Sequence, residues 1–386
     1  MNQRLALNKD SYDVEFLLGK DNIYSQGKIL SSMNTEADPL ALQVFQQNIQ
    51  RNLGDPALFP GTVLIERNCI NIMGKLFSLP ESGTGAILSG GSEANITALW
   101  AIRNKMRSER KKTNFQILAP ESVHVSVDKA ADLLNIDLIK IPVTDKYQID
   151  LRILQDSITD TTIAIVGVAG TTSLGTIDPL KELNDICLTN NLLLHIDAAF
   201  GGFVIPFLAD SDKYSLSFTL PAISSMTVDL HKMGRIPING GGLLWRDRSY
   251  PDAIKFVLPY LAGKPEQYTI SGTRSGAAAI AFSVLWNKRG YSLFKENALQ
   301  CVENTRFLAK ELEERGFLIP VKPVINILGA IPPMSSFTTE ELHTSLWEKG
   351  WTTSIVNGFL RLVIMPSTTK SNLKLFLKAI DDLIIR

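Results

Sequence analysis

Short apolar runs alternate with longer amphipathic stretches through the middle of the chain. Residues 86–106 have the pattern of a strand, a glycine turn and a helix, and residues 115–120 and 161–175 contain further apolar strands. Residues 192–207 and 224–234 begin as apolar runs and end in charged or small residues, as buried strands do when their carboxyl ends open onto a site. This alternation predicts an α/β fold, with a mostly parallel sheet in a large domain covered by helices on both faces.

The pattern changes towards the C-terminus, where a long helical stretch precedes the apolar segment 358–366. This change predicts a small C-terminal α+β domain after the sheet. We therefore expect three parts, which are an N-terminal helical segment (1–50), a large α/β domain (51–285) and a small α+β domain (286–386).

Composition excludes several classes of function. Lys and Arg together number 39, as do Asp and Glu. The chain therefore lacks the basic excess that would predict binding to nucleic acid or to an anionic membrane. Cys69, Cys187 and Cys301 lie far apart in the sequence and have neither zinc-ligand nor disulfide-framework spacing, as expected in a reducing compartment. We find no signal-peptide pattern and no apolar run of the roughly 18 residues that a membrane helix needs. These features predict a cytoplasmic protein without a metal site.

Two of the predicted strand ends carry an acid and a lysine, Asp197 and Lys232. Burial favours the neutral amine of a lysine, and a neutral amine forms Schiff bases. A nearby aspartate can keep a pyridine nitrogen protonated, which lets pyridoxal phosphate accept electrons. A buried ion pair is the structural alternative, although it is costly. The pair alone does not decide between these interpretations.

Two further segments at strand ends suit a phosphorylated cofactor. SGGSEAN (89–95) joins a strand to a helix, so its glycines and Ser92 suit an anion at the helix N-terminus, although a capped turn explains it equally well. The segment matches neither the ATP-binding nor the dinucleotide-binding glycine motif. His124 also follows a strand end, where an imidazole can stack on a planar ring, whereas most single histidines are packed or surface residues.

Four more polar residues are candidates for supporting roles. Thr171 and Thr172 follow a strand, where they either bond to a cofactor or cap a turn. His195 shares the strand face of Asp197 and is expected to support it. Arg361 interrupts an apolar strand, which favours a bidentate clamp for a carboxylate over an edge residue that extends to solvent.

Together these segments resemble the group II pyridoxal-phosphate-dependent decarboxylases, in particular their archaeal L-tyrosine/L-aspartate decarboxylase branch. The resemblance covers nearly the whole chain and rests on motifs in the family's order: NLGDPALFPGT, SGGSEAN, HVSVDKA, GTTSLGTID, HIDAAFGGFVIPF, DLHKMG, PINGGGLLWRD, SGTRSG and LRLVIMP. It implies fold type I with pyridoxal 5'-phosphate as cofactor. It also implies a homodimer whose sites lie at the subunit interface and are completed by the partner's SGTRSG segment.

The resemblance also implies individual roles. Lys232 would form the internal aldimine, Asp197 would pair with the pyridinium nitrogen, and His124 and Ala199 would contact opposite faces of the ring. The implied cofactor-binding residues are Gly91, Ser92, His124, Thr172, Asp197, Ala199, His231, Lys232 and Thr273. Arg361 and Asn34 are the expected substrate-binding residues. Tyr268 is expected to join Lys232, His124 and Asp197 in catalysis by reprotonating Cα, with Tyr260 as the other candidate.

The expected reaction converts an L-amino acid, tyrosine- or aspartate-like, to its amine and CO2. A C–C lyase resembling sphingosine-phosphate lyase, or an aminotransferase, would use the same cofactor residues; a scaffold without activity is disfavoured because the acid and the lysine are both present. Asn34, Ala37, Asp38 and Ser367 stand where the nearest relatives tend to carry cysteine or histidine motifs. If Asp38 faces the pocket, it repels a side-chain carboxylate, so the sequence slightly favours aromatic or neutral substrates over aspartate.

Overall fold

The computed structural model of the chain describes residues 13–111, 113–333 and 337–384. The helices are α1 (Val14–Leu18), α2 (Pro39–Gln47), α3 (Pro60–Leu76), α4 (Gly91–Arg110), α5 (Val125–Leu134), α6 (Leu151–Asp156), α7 (Leu180–Thr189), α8 (Ser249–Asp252), α9 (Gly276–Glu314), α10 (Thr339–Glu348) and α11 (Lys370–Ile384). The strands are β1 (Thr84–Leu88), β2 (Gln116–Pro120), β3 (Asp137–Ile141), β4 (Thr162–Val168), β5 (Leu193–Asp197), β6 (Ile223–Asp229), β7 (Gly241–Trp245), β8 (Phe256–Val257), β9 (Glu266–Gln267), β10 (Ile327–Ala330), β11 (Ser354–Val356) and β12 (Phe359–Val363).

A seven-stranded sheet with the order β1-β7-β6-β5-β4-β2-β3 forms the centre of the molecule. Strands β2 to β6 pair in parallel, whereas β7 is antiparallel to both of its neighbours, β1 and β6. The predicted mostly parallel sheet is therefore confirmed. Strand β7, the last strand of this sheet in sequence, lies in space between β1 and β6.

Helices cover both faces of this sheet, so its central strands are buried on both sides. All residues of β4 and β6 are buried. Helices α4 and α5 pack on one face through side chains such as Leu99 and Val127. Helices α3, α7 and α9 cover the other face through Met73, Leu183 and Phe282. This three-layer arrangement confirms the predicted α/β fold class.

A second, three-stranded antiparallel sheet, β10-β12-β11, lies in the C-terminal part of the chain. Helices α10 and α11 pack against it through a separate apolar core that includes Leu346 and Phe376. The N-terminal segment joins the same unit, since the amide of Leu30 donates to Thr352 O at 2.8 Å and Leu30 O accepts from the amide of Val363 at 2.7 Å. The N-terminal segment and the C-terminal unit are thus in contact although they are far apart in sequence.

The predicted domain boundary at residues 285/286 falls inside α9. That helix is interrupted at Gly290, whose φ of +69° is outside the helical region and suits glycine. The direction of the chain therefore changes close to the predicted boundary, although one long element crosses it. Over the described ranges, none of the helices is long and apolar enough to cross a membrane.

Candidate active site

A cavity of about 410 Å³ opens at the carboxyl ends of β4, β5 and β6, where open α/β sheets bind ligands. The last residues of these strands, Val168, Asp197 and Asp229, all line it. The other lining residues are Met33, Asn34, Ser89, Gly90, Gly91, Ser92, Glu93, Asn95, His124, Gly170, Thr172, Ala199, Phe200, His231, Lys232, Ile238 and Asn239.

The glycine turn after β1 forms one wall of this cavity. Helix α4 begins at Gly91, so the amide groups of its first turn lack helical partners and favour an anion at this end. A Cβ atom on Gly90 would lie 2.8 Å from Cε1 of His231, and one on Gly91 would lie 2.9 Å from Oδ2 of Asp229. The two glycines therefore let the backbone approach the cavity more closely than other residues would allow.

Glu93 connects this turn to the SGTRSG segment. Its Oε2 accepts a hydrogen bond from the amide of Ser89 at 2.8 Å, and its Oε1 accepts one from the amide of Ser271 at 3.1 Å. Burial alone would raise the pKa of Glu93, but these hydrogen bonds outweigh burial and lower it. The ionised carboxylate thus fixes the turn against a distant segment of the same subunit.

Lys232 follows β6 and extends its amine to the cavity. Its Nζ lies 3.1 Å from Oδ2 of Asp229, while Oδ1 of Asp229 has no hydrogen-bond partner among the described residues. Asp229 was not predicted as a site residue. Its position three residues before Lys232, at the end of an apolar strand, is the signal that identifies it.

Asp197 ends β5 and is held by two donors. Its Oδ1 accepts from the amide of Ala199 at 3.0 Å and its Oδ2 accepts from Nδ2 of Asn95 at 2.8 Å. Asn95 was also missed, although it lies one helical turn after Gly91 and therefore on the same face of α4. His195 lies behind Asn95, with Nε2 3.0 Å from Oδ1 of Asn95, and is connected to Asp197 by hydrogen bonds through that residue.

His124 caps the N-terminus of α5. Its Nδ1 accepts a hydrogen bond from the amide of Ser126 at 3.2 Å and lies 2.9 Å from the Oγ of the same serine. Burial lowers the pKa of His124, so the ring is neutral at pH 7. A neutral, fixed imidazole at the cavity is suited to contact with a planar ring.

The structure separates the two neighbouring threonines. Thr171 is buried, and its Oγ1 lies 2.8 Å from Oγ1 of Thr176, so its side chain stabilises the turn. Thr172 lines the cavity. The sequence left open whether these threonines contact a ligand or cap a turn. In the structure Thr171 stabilises the turn, and Thr172 has the ligand-facing position.

Arg361 lies behind Thr172 and does not itself line the cavity. Its Nε donates to Thr172 O at 2.5 Å, and its Nη1 donates to Ser31 O at 2.8 Å and to Oγ of Ser354 at 3.2 Å. The residue is 5% exposed, and burial lowers its pKa to about 10. Among the described residues no carboxylate pairs with this guanidinium.

Tyr268 and Thr273 lie outside this cavity. Tyr268 packs edge-on against Trp245, with ring centroids 5.9 Å apart, and lines a second cavity of about 460 Å³ together with Glu66 and Arg274. Thr273 is exposed to solvent. Within one subunit neither residue is brought to Lys232, and their action across a subunit interface stays a prediction.

Asp38 does not face the cavity either. It is buried, and its Oδ1 accepts from the amide of Leu40 at 2.9 Å, so it caps the N-terminus of α2. The expectation that Asp38 repels an acidic substrate therefore has no support in the structure. Asn34, the predicted substrate residue nearest to it in sequence, does line the cavity, and its buried Oδ1 has no partner among the described residues.

The residues around the cavity fit pyridoxal 5'-phosphate. The positive end of α4 with Ser92 suits the phosphate, and the carboxylate of Asp197 suits a protonated ring nitrogen. Lys232 supplies an amine for the aldehyde, and Oδ1 of Asp229 is a buried polar atom without a hydrogen-bond partner among the described residues. Gly90 and Gly91 leave the space that side chains would otherwise fill.

Comparisons with known proteins agree with this fit. The family model of the pyridoxal-dependent decarboxylase conserved domain matches residues 24–328. The L-aspartate decarboxylase of Thermococcus kodakarensis is 40% identical over 369 residues, covering 94% of each chain. The probable L-tyrosine/L-aspartate decarboxylase of Methanothermobacter thermautotrophicus is 40% identical over 367 residues, covering 94% of this chain and 99% of that protein.

Solved structures show the same fold at lower identity. Glutamate decarboxylase from Lactobacillus brevis superposes with a TM-score of 0.88 at 24% identity and covers 100% of this chain and 95% of its own. Sphingosine-1-phosphate lyase from Burkholderia pseudomallei gives a TM-score of 0.87 at 22% identity and covers 98% of this chain and 92% of its own. The fold is thus fold type I of pyridoxal-phosphate enzymes. Given the family match and the relatives at 40% identity, the chain belongs to the pyridoxal-dependent decarboxylase family and is a pyridoxal-phosphate-dependent carboxy-lyase acting on an amino acid.

Proposed function

We propose that this chain decarboxylates L-aspartate or a closely similar acidic L-amino acid in the cavity around Lys232. The observation that carries the proposal is the buried guanidinium of Arg361, which has no carboxylate partner among the described residues. A buried charge without a partner is costly, and the cost falls when an anionic ligand binds next to it. Arg361 donates to the carbonyl of Thr172, and Thr172 lines the cavity.

The cavity residues already described would bind pyridoxal 5'-phosphate. Gly91, Ser92 and His231 would hold the phosphate, His124 and Ala199 would contact the ring, and Lys232 would bind the aldehyde. When bound, pyridoxal 5'-phosphate supplies an electron sink for the electron pair left as the Cα–carboxylate bond breaks. Asp197 would keep a negative charge at the ring nitrogen, where it stabilises the positive charge that makes the ring an acceptor.

Two carboxylates of aspartate compete for Arg361, and the chemistry favours the side-chain carboxylate. The α-carboxylate leaves as neutral CO2, so an ionic grip on it would stabilise the ground state more than the transition state. A side-chain carboxylate keeps its charge throughout, and a guanidinium fork fixes its direction. Asn34 would complete the substrate contact, since its side chain lines the same cavity.

Tyrosine is the second candidate substrate. Met33, Phe200 and Ile238 give the cavity apolar surface that an aromatic ring could contact. The relative from Methanothermobacter thermautotrophicus carries both amino acids in its name. An aromatic substrate would leave the charge of Arg361 without a side-chain partner, which is why we rank it second.

The functional unit is proposed to be a homodimer with shared sites. Large apolar side chains are exposed near the second cavity, in the loop before α3 and in the segment around β8, with Leu58 71%, Phe256 63% and Tyr260 78% exposed. A second copy of the chain would cover such surface. Tyr268 and Thr273 would then serve the partner's site, with Tyr268 as the acid that reprotonates Cα.

A substrate panel tests the proposed reaction. Purified protein supplied with pyridoxal 5'-phosphate is incubated with L-aspartate, L-glutamate, L-tyrosine and L-phenylalanine, with and without 2-oxoglutarate as amino acceptor, and CO2, amine and keto acid are each measured. We expect CO2 and β-alanine from L-aspartate in equal amounts, with no activity in Lys232→Ala. Predominant tyramine would support the second candidate. Keto acid in place of CO2 would indicate an aminotransferase and contradict the proposal.

A further inference from the structure

A continuous chain of side-chain hydrogen bonds runs beneath the cavity and has Asn95 at its centre. Nδ2 of Asn95 lies 2.8 Å from Oδ2 of Asp197 and 2.9 Å from Oγ of Ser126. Oδ1 of Asn95 lies 3.0 Å from Nε2 of His195, and Oγ of Ser126 lies 2.9 Å from Nδ1 of His124. Asn95 is 1% exposed, and Ser126 and His195 are fully buried.

The chemistry of these groups allows one assignment of the protons. An ionised Asp197 accepts only, so the amide nitrogen of Asn95 faces it and the amide oxygen faces His195. Nε2 of His195 therefore carries a proton. Burial lowers the pKa of His195 to about 4, so the ring is neutral and its Nδ1 accepts from Oγ of Ser225 at 2.8 Å.

The same reasoning fixes His124 at the other end. The second N–H of Asn95 donates to Oγ of Ser126, which leaves the hydroxyl proton of Ser126 for Nδ1 of His124. The amide of Ser126 also points at Nδ1, at 3.2 Å. Nδ1 of His124 thus receives two donors and carries no proton, so the proton of the neutral ring lies on Nε2.

We propose that Asn95 is a positioning residue that orients Asp197 towards the cofactor and, through Ser126, holds His124 in the Nε2–H tautomer. The amide of Asn95 thereby sets the direction of the Asp197 carboxylate, which is proposed to face the ring nitrogen. It also sets which nitrogen of His124 carries the proton, and His124 is proposed to contact the ring face. The inference rests on the proposed roles of Asp197 and His124 in the decarboxylase site.

Asn95→Leu tests this role, because leucine keeps the volume and removes every hydrogen bond. Two properties other than activity are measured, which are the dissociation constant of pyridoxal 5'-phosphate and the imidazole ¹⁵N shifts of histidine-labelled protein. We expect cofactor binding to weaken about tenfold or more, as when a charged group loses a hydrogen bond. The His124 shifts should move from a pure Nε2–H tautomer to a mixture.

Asn184→Leu is the matched control. Asn184 is 3% exposed, and its Oδ1 accepts from the amide of Ala222 at 2.9 Å, outside the cavity lining. The control should lose thermal stability without a change in cofactor affinity or in the His124 shifts. If Asn95→Leu loses stability and keeps wild-type cofactor affinity and tautomer, Asn95 is only structural and the inference is wrong.

Ser126→Ala is a second test variant if Asn95→Leu does not fold. It breaks the chain between Asn95 and His124 and leaves the bond between Asn95 and Asp197 in place. The backbone amide of Ser126 still donates to Nδ1 of His124, so the Nε2–H tautomer should fall from nearly complete to partial occupancy, while cofactor affinity stays near the wild-type value. An unchanged His124 tautomer in this variant would overturn the proposed connection.

Asp197→Asn separates failure of this inference from failure of the proposed function. If this variant binds cofactor and turns over normally, the role of Asp197 in the proposed function is wrong. If it is impaired and Asn95→Leu is normal, only the role of Asn95 is wrong. If Asn95 acts through Asp197, adding Asn95→Leu to Asp197→Asn should weaken cofactor binding little further.

Discussion

Lys232 lies with its Nζ 3.1 Å from Oδ2 of Asp229, and the two side chains differ in exposure, at 18% for the lysine and 2% for the acid. The amine is thus held at the cavity wall by a carboxylate that is almost fully buried. Removing one member of such a pair is destabilising, because it leaves a buried charge alone. The stability of the cofactor-free protein therefore depends on Lys232, the residue proposed to bind the cofactor.

Lys232→Ala should abolish turnover and the adduct trapped by borohydride reduction. It should also destabilise the cofactor-free protein by roughly 2–4 kcal/mol, because Asp229 loses its partner. Urea unfolding measures this loss. Adding Asp229→Asn should restore most of the stability and none of the activity. Lys213→Ala, which removes an exposed ion pair with Asp210, is the control and should leave stability nearly unchanged.

Arg361→Leu should lower kcat/KM for L-aspartate about 10²-fold, since a charge-assisted hydrogen bond to a substrate carboxylate is worth roughly 1.5–3 kcal/mol. L-Tyrosine, where it is a substrate, should be affected much less. Arg361→Lys should not restore aspartate turnover, because a point charge lacks the guanidinium fork. Equal losses with both amino acids would assign Arg361 to the shared α-carboxylate instead and contradict the proposal.

The sequence predicted the sheet and its ligand-binding edge because both follow from short apolar runs that end in polar residues. Lys232, Asp197 and the glycine turn were found in this way, and the structure brings them to one cavity. Asn95 was missed because a buried polar residue within a helix is visible only when its partners on other elements are known. For Asp38 the sequence analysis left open whether the side chain faces the pocket; Asp followed by Pro is itself a helix-start pattern, and in the structure Asp38 caps α2.

Acid should destabilise the protein through His195. Its pKa is about 4 in the folded state against an ordinary value of 6.5, so the unfolded chain binds an extra proton as the pH falls below 6.5. The stability linked to this group is present above pH 6.5 and lost towards pH 4. It should decrease by about 2 kcal/mol between pH 7 and pH 5.

His195→Gln measures this contribution by comparison with the wild type. The variant is less stable at pH 7, but it lacks the titrating ring, so the stability gap should narrow by about 2 kcal/mol at pH 5. Asp178, whose pKa burial raises to about 6, titrates with the opposite sign and is present in both proteins, so it cancels in the difference. A gap that stays constant between the two pH values would show that His195 is not held neutral.

Asp38 should affect stability and leave substrate choice alone. Asp38→Ala removes the cap of α2 and should cost about 1 kcal/mol, whereas Asp38→Asn keeps an acceptor and should cost less. Thermal unfolding distinguishes the two variants. Asp38→His should keep the wild-type ratio of kcat/KM for aspartate and tyrosine. A clear change in that ratio would place Asp38 in the pocket after all.

Mixed dimers should show whether Tyr268 acts across the interface. Lys232→Ala and Tyr268→Phe subunits are each expected to be nearly inactive when pure. In a hybrid dimer, the subunit that retains Lys232 receives Tyr268 from its partner, so one of the two sites is intact. Equal mixing after dissociation should therefore recover about a quarter of wild-type activity, because half of the dimers are hybrids. If Tyr268 served the site of its own subunit, that site would combine Lys232 with phenylalanine and mixing would recover nothing. Tyr268 lines the second cavity, whereas Lys232 lines the first. This separation within one subunit is the structural reason to expect that mixing recovers activity.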